Sequence, residues 1–415
     1  MRRPGNRCGW IGILAGLMAL AGLAGAPTAH AQEPIRIGFI YPDVGPFAQT
    51  GLDMRDGFLL YWSQVGNKAG GRAVEVLLEN KGTNKPDEGL TKSRKLVERD
   101  KIHILGGVIS TPVTLAIRGY VIDKKIPFVI MNAGADDITK KLRSEYIFRS
   151  SFANSDASHA LGEWAYKQGF RKAVIMAWDF AAGYEQIGGF ARTFTQAGGQ
   201  VVQELYPPIG APDFAPYLSQ IKRDADLVSA FFGGADAPRF MNQYGEFGLK
   251  GKIPLIGTGS LTHEAILAAA GDNALGVVTS HPWSGALETP ANRRFVEAYE
   301  AKYKRRPTLF AEQGYVGAEM IAQALEAVKG QVENQSAFLA ALAKVDFEAP
   351  RGKFRLDAFH NPIHNVYIRK VEKKGGVLQN TVIATYPSVS QFWKWTPEAF
   401  MAMPTYQEMK GKWAK

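Results

Sequence analysis

The chain has 415 residues, enough for two or three domains of about 150 residues, each with a substantial hydrophobic core. Apolar residues make up 46% of it, charged residues 21%, and its 44 glycines follow no collagen-like period, which excludes a disordered chain, a fibre and a multi-pass membrane protein. The formal net charge of +10 is mild for this length, so it favours solubility or attraction of anionic ligands over nucleic-acid binding.

Residues 1–31 have the features of a secretory signal peptide. A basic stretch precedes an apolar run over residues 10–25, and residues 29–31 supply a small-x-small cleavage site. Cleavage after Ala31 removes three arginines, which lowers the 49 basic residues to 46 against 39 acidic ones, an excess of +7. It also removes Cys8, the only cysteine. We therefore expect a periplasmic protein held together by core burial and not by disulfides.

Strands and helices alternate along the first part of the mature chain. Short β-branched runs predict strands, and apolar residues at helical spacing predict helices. The predicted strands are Ile35–Tyr41, Val74–Leu78, Ile102–Val108 and Pro127–Met131, and the predicted helices are Asp53–Val65, Pro86–Arg99 and Pro112–Lys124. This alternation implies parallel strands in a sheet that helices cover on both faces.

The same alternation begins again at residue 173. Its predicted strands are Ala173–Trp178, Gln200–Tyr206, Leu227–Phe232 and Pro254–Gly257, and its predicted helices are Tyr184–Gln196, Phe214–Arg223 and Ala237–Phe247. Later segments predict helices over Thr289–Lys304 and Tyr315–Lys329, a hairpin of Val366–Val371 with Thr381–Tyr386, and a loosely packed tail after Gln391. The fold class is therefore α/β, with two lobes of like design.

The sequence contains no catalytic or metal-binding motif. There is no G-x-S-x-G elbow, no P-loop, no G-x-G-x-x-G after a strand and no H-E-x-x-H. His360 and His364 have the spacing of a metal pair, but Pro362 lies between them, so we interpret them as flanking a turn. We expect no cofactor, no metal and no catalytic residue, although a Ser–His–Asp triad assembled in space has no local signature.

The candidate ligand site is formed by loops at the carboxyl ends of the predicted strands, where open α/β sheets bind ligands. In the first half these loops present Tyr41, Phe47, Gln49, Ser110, Thr111, Asn132, Ala133 and Gly134. Thr111 is expected to be the N-cap of a helix whose first residue is Pro112. Such a helix start offers hydroxyls, free N–H groups and a positive dipole end to a carboxylate. The alternative is that both hydroxyls only cap their own helix.

The corresponding loops of the second half present mostly aromatic and small residues. These are Phe180, Tyr184, Gly234, Asp236 and Thr258. Asp236 is interpreted first as the cap of the helix that begins at Ala237. His281 and Trp283 lie where the chain should return to the first lobe, so both are candidates for lining a cleft, and packing of Trp283 at the hinge is the alternative.

Six segments occur in a recognisable order: VGPFAQTG, ILGGVISTP, IPFVIMNAG, WDFAAGYEQ, PDFAPYLSQIKRDADLV and IPLIGTG. Together they resemble the type I periplasmic solute-binding proteins of the leucine/isoleucine/valine-binding class, which serve ATP-driven (ABC) importers. The resemblance implies two doubly wound parallel-sheet lobes joined by a three-segment hinge. Lobe 1 would comprise residues 32–152 and 281–350, and lobe 2 residues 153–280 and 351–415.

The resemblance also implies how such a protein works. The two lobes close on a small molecule by a hinge motion, and a membrane permease recognises the closed form. Ser110 and Thr111 would grip a ligand carboxylate, with Ala133 and Gly134 as neighbouring backbone contacts. We expect a monomer with a small carboxylate ligand and permease subunits as its partners, and no nucleic acid.

Three positions depart from the amino-acid binders of that class. Gly259 stands where they place an acidic residue for the ligand ammonium, Ala135 where they place a threonine, and Ala182 where they place a pocket tyrosine. Burying an ammonium without a counter-charge costs on the order of several kcal/mol, so we predict a ligand without one. Aromatic walls are available from Tyr41, Phe47, Phe180, Tyr184 and Trp283. The predicted ligand is a planar aromatic acid; the alternative is an amino acid or amide whose acidic partner is Asp179 or Asp236.

Other functions stay open at this point. A ligand-sensing subunit of the same fold has the same sequence features as an uptake protein. A periplasmic hydrolase would use Ser110 as its nucleophile. A nucleic-acid binder would need basic residues clustered on a helix face, which the sequence lacks.

Overall fold

The computed structural model describes Met1 and residues 32–414, apart from residues 46, 80, 81, 83 and 84. The predicted signal peptide, with Cys8, lies outside the described residues except for Met1, and so does Pro46 in the loop after the first strand. No helix within the described ranges is long and apolar enough to cross a membrane.

The first sheet is parallel apart from one edge pairing. Its strands are β1 (Ile35–Ile40), β2 (Lys68–Ala69), β3 (Arg72–Glu79), β4 (Ile104–Gly107), β5 (Phe128–Ile130) and β6 (Ile147–Arg149). They lie in the order β2-β3-β1-β4-β5-β6, and only β2 and β3 are antiparallel. The connecting helices are α1 (Ala48–Gln64), α2 (Pro86–Arg94), continued by a π-turn over Lys95–Arg99, and α3 (Thr111–Asp123). The strand order reverses between β1 and β4, which opens a crevice at their carboxyl ends.

The second sheet is mixed. Its strands are β7 (Lys172–Ala177), β8 (Gln200–Leu205), β9 (Leu227–Phe231), β10 (Leu255–Thr258), β11 (Val278–His281), β12 (Asp346–Ala349), β13 (Gly352–Leu356), β14 (Pro362–Lys374) and β15 (Val377–Val389). Their order is β12-β13-β14-β11-β10-β9-β7-β8, with β15 paired to β14. The strands from β7 to β11 are parallel, and β14 runs antiparallel to β11. Here the strand order reverses between β7 and β9.

The later helices divide between two hydrophobic cores. They are α4 (Asp156–Lys167), α5 (Ala181–Gln196), α6 (Ala215–Leu218), α7 (Asp236–Glu246), α8 (Glu264–Ala270), α9 (Pro290–Tyr303), α10 (Leu309–Ala327), α11 (Gln335–Ala343) and α12 (Pro397–Met401). Side chains of α9, α10 and α11 share a core with β1 and α1, whereas α5 and α7 pack on β7 and β9. The α/β fold class with two lobes is thereby confirmed.

Helices α1 and α10 approach each other closely because both carry glycine at the contact. A Cβ atom on Gly57 would clash with the backbone of Ala311, and one on Gly314 would clash with the backbone of Met54. The close packing holds the N-terminus of α10 in the first lobe, and with it Leu309.

The chain passes between the two cores three times. It leaves the first sheet after β6, returns after β11, since Trp283 is buried in the first core, and leaves again before β14 pairs with β11. Phe354 of β13 also packs in the first core. We therefore propose that the third crossing lies after Leu356, a few residues beyond the boundary at 350 that the sequence suggested.

Several predicted element ends differ from the structure. Helix α1 begins at Ala48 and not at Asp53, and α5 begins at Ala181 and not at Tyr184. In both helices the first turn contains small and polar residues, so the apolar spacing starts one turn late. Helix α6 ends at Leu218, well before the predicted end at Arg223.

The predicted loose packing of the C-terminal tail is wrong. Phe392, Phe400 and Tyr406 are 4%, 7% and 4% exposed. The Tyr406 hydroxyl lies 2.6 Å from His159 Nε2, and the Lys140 ammonium lies 4.0 Å from the centre of the Phe400 ring. Aromatic residues without a regular period therefore pack as core here, although the sequence pattern alone is typical of an irregular segment.

Candidate functional site

A cavity of about 130 Å³ lies where the carboxyl ends of the two sheets meet. Residues that follow β1, β4 and β5 line it from the first sheet, and residues that follow β7, β9, β10 and β11 line it from the second. An apolar cavity of roughly 150 Å³ accommodates benzene, so this cavity has the size of one small aromatic ring.

The structure brings nine of the predicted site residues together around this cavity. They are Phe47, Ser110, Thr111, Asn132, Gly134, Phe180, Gly234, Thr258 and His281. Each follows or ends a strand at the carboxyl edge of its sheet, as the general rule for open α/β sheets predicts.

Three predicted residues from the first lobe do not line the cavity. Tyr41 is buried in the first core, with its ring centre 5.9 Å from that of Phe39. Gln49 lies on α1 and donates from its amide to Asp53 Oδ1 at 2.7 Å, because helical residues four apart are neighbours. Ala133 lies in the loop after β5, and its side chain is buried in the core. The sequence places these residues in the right loops without showing where each side chain points.

Three predicted residues from later in the chain also lie away from the cavity. The Tyr184 hydroxyl donates to Asp179, and its ring packs 5.6 Å from that of Tyr206. Trp283 is fully buried and donates from Nε1 to Asn292 Oδ1 at 2.7 Å, in line with the hinge-packing alternative. The third is Asp236, which is the first residue of α7 and not its cap.

Other lining residues escaped the sequence analysis. Trp178, Gly233 and Ser260 lie in loops that the sequence identified, so the loop rule could have included them. By contrast, Asn154 comes from the first crossing and Phe310 from the start of α10. Neither position follows a predicted strand, so no local signal marks it.

Ser110 occupies the N-cap position of α3, one residue earlier than predicted. Its backbone is extended, with φ −113° and ψ 146°, and its side chain makes no capping hydrogen bond. Thr111 is instead the first helical residue. Ser110 Oγ is buried and has no hydrogen-bond partner among the described residues. The hydroxyl is therefore free for a ligand at a helix start whose dipole favours an anion.

Aromatic rings form one wall of the cavity. The Phe180 and Phe231 rings are nearly parallel, 6.3 Å apart at an angle of 24°, and Trp178 stands at 82° to Phe231 at 5.5 Å. Trp178 Nε1 donates to Asp236 Oδ2 at 2.9 Å. Asp236 thus orients an indole ring that lines the cavity and is not itself among the described lining residues.

No Asp, Glu, Lys or Arg lines the cavity among the residues that the structure describes. Asp179 is occupied by Tyr184 and Lys410, and Asp236 by Trp178, the Gly210 N–H and Arg239. Neither aspartate takes the place of the acidic residue that amino-acid binders carry, so the alternative based on them finds no support.

The side chain of His281 fills the space beside Gly259. A Cβ atom on Gly259 would lie 2.5 Å from His281 Cδ2, so an acidic side chain does not fit there without moving the imidazole. Burial, with the nearby guanidinium groups of Arg369 and Arg351, lowers the pKa of His281 well below its ordinary value. The ring is therefore neutral.

The described residues include no group of three or more His, Cys, Asp or Glu side chains that could hold a metal ion. His360 Nδ1 lies 3.1 Å from the Ile147 carbonyl oxygen, and its ring stacks on Phe148 at 4.1 Å. His360 precedes β14 and His364 lies within it, so the two histidines belong to a turn and the strand after it.

Comparisons with known proteins agree with this geometry. A sequence model described as periplasmic binding protein matches residues 34–376. Leu/Ile/Val-binding protein homolog 6 of Brucella melitensis is 32% identical over 377 residues, covering 89% of this chain and 96% of the relative.

Two solved solute-binding proteins of ABC transporters are also similar to this chain. The one from Rhodopseudomonas palustris BisB5, in complex with 3,4-dihydroxybenzoic acid, is 34% identical with a TM-score of 0.82 and covers 86% of this chain and 98% of its own. Another from R. palustris, in complex with benzoate, is 33% identical with a TM-score of 0.79, again covering 86% and 98%. The sequence resemblance is confirmed: the chain belongs to the periplasmic binding protein family, as a type I solute-binding protein of the ABC-importer, Leu/Ile/Val-binding class.

Proposed function

We propose that this protein captures an aromatic carboxylate between its two lobes and delivers it to the permease of an ABC importer. The observation that carries the proposal is the cavity itself, which is ring-sized and has aromatic walls. Its described lining residues include no charged side chain, and Ser110 Oγ at the start of α3 is buried without a partner among them. A carboxylate at the helix start and a flat ring against Phe180 satisfy both features.

The two R. palustris structures support this ligand class, because they hold benzoate and 3,4-dihydroxybenzoic acid. The name of the Brucella relative favours a branched-chain amino acid as the second candidate. That candidate is opposed by the absence of a carboxylate around the cavity in the described chain, since an ammonium group buried there would lack a partner.

Export, cleavage near Ala31, a periplasmic location and a monomeric state are part of the same proposal. Membership of the periplasmic binding protein family supports the location. Uptake is favoured over sensing because both similar structures are solute-binding proteins of ABC transporters.

The test is calorimetry and thermal melting of residues 32–415 with benzoate, with 4-hydroxybenzoate and with leucine, isoleucine and valine. A ligand at one hundred times its Kd adds about 2.7 kcal/mol to the free energy of unfolding and raises Tm. We expect an aromatic acid to do so. Stabilisation by the amino acids alone would contradict the proposal.

The variant Ser110→Ala tests where the carboxylate lies. A hydrogen bond to a charged group is worth about 1.5–3 kcal/mol, so aromatic acids should bind about tenfold to a hundredfold more weakly. The Tm without ligand should not change, because the hydroxyl caps nothing. Thr50→Ala is the matched control, since the Thr50 hydroxyl lines the same cavity but donates to the Phe47 carbonyl at 2.7 Å. Equal losses in both variants would contradict the assignment.

A further inference from the structure

A second set of unpartnered polar atoms borders the cavity, at the carboxyl end of β11. Ser280 is fully buried and His281 is 5% exposed, and both line the cavity. Neither Ser280 Oγ nor His281 Nε2 has a hydrogen-bond partner among the described residues. Ser110 follows a strand of the first sheet, whereas Ser280 and His281 belong to a strand of the second. A ligand that contacts Ser110 and this pair therefore spans the cavity.

Three other polar side chains that line the cavity have hydrogen-bond partners within the protein. Thr258 Oγ1 lies 3.1 Å from Ser260 Oγ, and the Asn132 amide donates to Gln313 at 2.7 Å. The Asn154 amide donates to Glu185 at 2.7 Å. The β11 pair therefore stands out, because a buried polar group without a partner is unfavourable and such groups are rare in folded proteins.

The imidazole of His281 contacts the backbone through Nδ1, which leaves Nε2 without a partner among the described residues. Nδ1 lies 3.1 Å from the backbone nitrogen of Trp283 and 3.3 Å from its carbonyl oxygen. Nδ1 accepts from the Trp283 N–H in one tautomer of the neutral ring and donates to the Trp283 carbonyl in the other, so Nε2 is a donor in the first and an acceptor in the second. Arg369 donates to the Trp283 carbonyl and to Thr279 beneath the ring.

A carboxylate suits the helix start better than it suits β11. Helix α3 offers an anion the positive end of its dipole, whereas β11 offers one nitrogen of a neutral imidazole and one hydroxyl. A ligand hydroxyl suits the Ser280 hydroxyl and the His281 imidazole alike, because it can donate or accept and so pairs with either tautomer of the ring.

We propose that Ser280 and His281 recognise a hydroxyl group on the ring of the bound aromatic acid, so that the protein selects hydroxybenzoates over benzoate. The inference rests on the proposed function. An unsubstituted ring leaves two buried polar groups without partners, and a site built to pair with a hydroxyl discriminates strongly against the analogue that lacks it.

The experiment compares ligands on the wild-type protein, where folding is not in question. Calorimetry is performed with benzoate, 3-hydroxybenzoate, 4-hydroxybenzoate and 4-methylbenzoate, the last of which has the size of the 4-hydroxy compound without its hydrogen bonds. We expect at least one hydroxybenzoate to bind tenfold or more tightly than benzoate and 4-methylbenzoate. Equal affinities for all four overturn this inference and leave the proposed function standing, whereas binding of none overturns the proposed function.

The variant Ser280→Ala then identifies the residue. It should weaken the preferred hydroxybenzoate about tenfold and leave the affinity for benzoate within a factor of two. Ser110→Ala is the matched control, which should weaken both ligands by the same factor. A merely structural role of Ser280, or a carboxylate bound at β11, lowers the affinity for benzoate as much as that for the hydroxybenzoate, and this result overturns the assignment.

Discussion

Two neighbouring cavities of this protein differ in the charge of the side chains that line them. The ring-sized cavity has no charged side chain among its described lining residues, whereas a cavity of about 230 Å³ beside it is lined by Asp136, Lys140, Glu185 and others. Thr111 lines both. In the second cavity the charges compensate each other, since Lys140 Nζ lies 2.9 Å from Asp136 Oδ2. The difference indicates that Asp136 and Lys140 neutralise each other in the larger cavity, whereas the ligand site relies on neutral groups.

The largest expected effect comes from breaking the matched pair. Ser155 Oγ donates to Asp136 Oδ2 at 2.6 Å, and Lys140 is 4% exposed. Burial raises the pKa of Asp136, but Lys140 and Ser155 outweigh it and hold that pKa below its ordinary value. Asp136→Asn leaves a buried ammonium without its partner, so it should lower the free energy of unfolding by about 3–5 kcal/mol.

Urea denaturation checks this loss. Asp137→Asn is the matched control, because Asp137 is adjacent in sequence and lines the same cavity without an ion pair to Lys140. Similar stability losses in both variants would show that the Asp136–Lys140 pair is not what stabilises this region.

A smaller effect is expected from placing a charge in the neutral cavity. Gly259→Asp adds a carboxylate beside His281. The new Cβ atom at position 259 would lie 2.5 Å from His281 Cδ2, so the imidazole must move in this variant. Repulsion of the ligand carboxylate in a buried site should weaken aromatic acids a hundredfold or more, on the order of 3 kcal/mol. Gly259→Asn has the same shape without the charge, so the ratio of the two affinities by calorimetry isolates the electrostatic part. Equal binding by both variants would contradict the role of neutrality.

The effect expected per pH unit is the smallest, and it concerns Glu185, which lines the charged cavity. Burial, and after it the Asp136 carboxylate, raises the pKa of Glu185 to about 8, while Lys140 opposes the shift. The folded state then keeps a proton that the unfolded chain releases near its ordinary pKa of 4.5. The free energy of unfolding should therefore fall as pH rises from about 5 to 8, by up to about 1.4 kcal/mol per pH unit.

Glu185→Gln should remove this fall, which thermal melts between pH 5 and pH 9 measure directly. Glu163→Gln is a control of opposite sign, because hydrogen bonds from Lys167 and Lys394 outweigh burial and lower the pKa of Glu163. If the Glu185 variant keeps the slope of the wild type, another group titrates in that window.

The sequence predicts the sheets well and the side chains around the cavity only in part. The sequence identifies Ser110 as a candidate site residue because it follows a buried strand and precedes a helix. The sequence leaves open whether Trp283 lines the cleft or packs at the hinge, because a residue at a crossing can face either lobe, and its contacts with Phe295 and Asn292 favour the hinge. Strand β11 was missed because its four residues, VTSH, show no apolar alternation. Its burial depends on β10 and β14, which flank it from distant parts of the chain.

The contact between Gly259 and His281 also restricts how the specificity of this protein can change. Conversion toward an amino-acid ligand needs a new carboxylate at position 259, and the imidazole occupies that volume. A residue smaller than histidine must therefore appear at position 281 before the carboxylate appears at position 259. In the opposite order, the first variant accommodates neither ligand. Directed evolution that samples both positions together should find amino-acid binders that stepwise libraries miss.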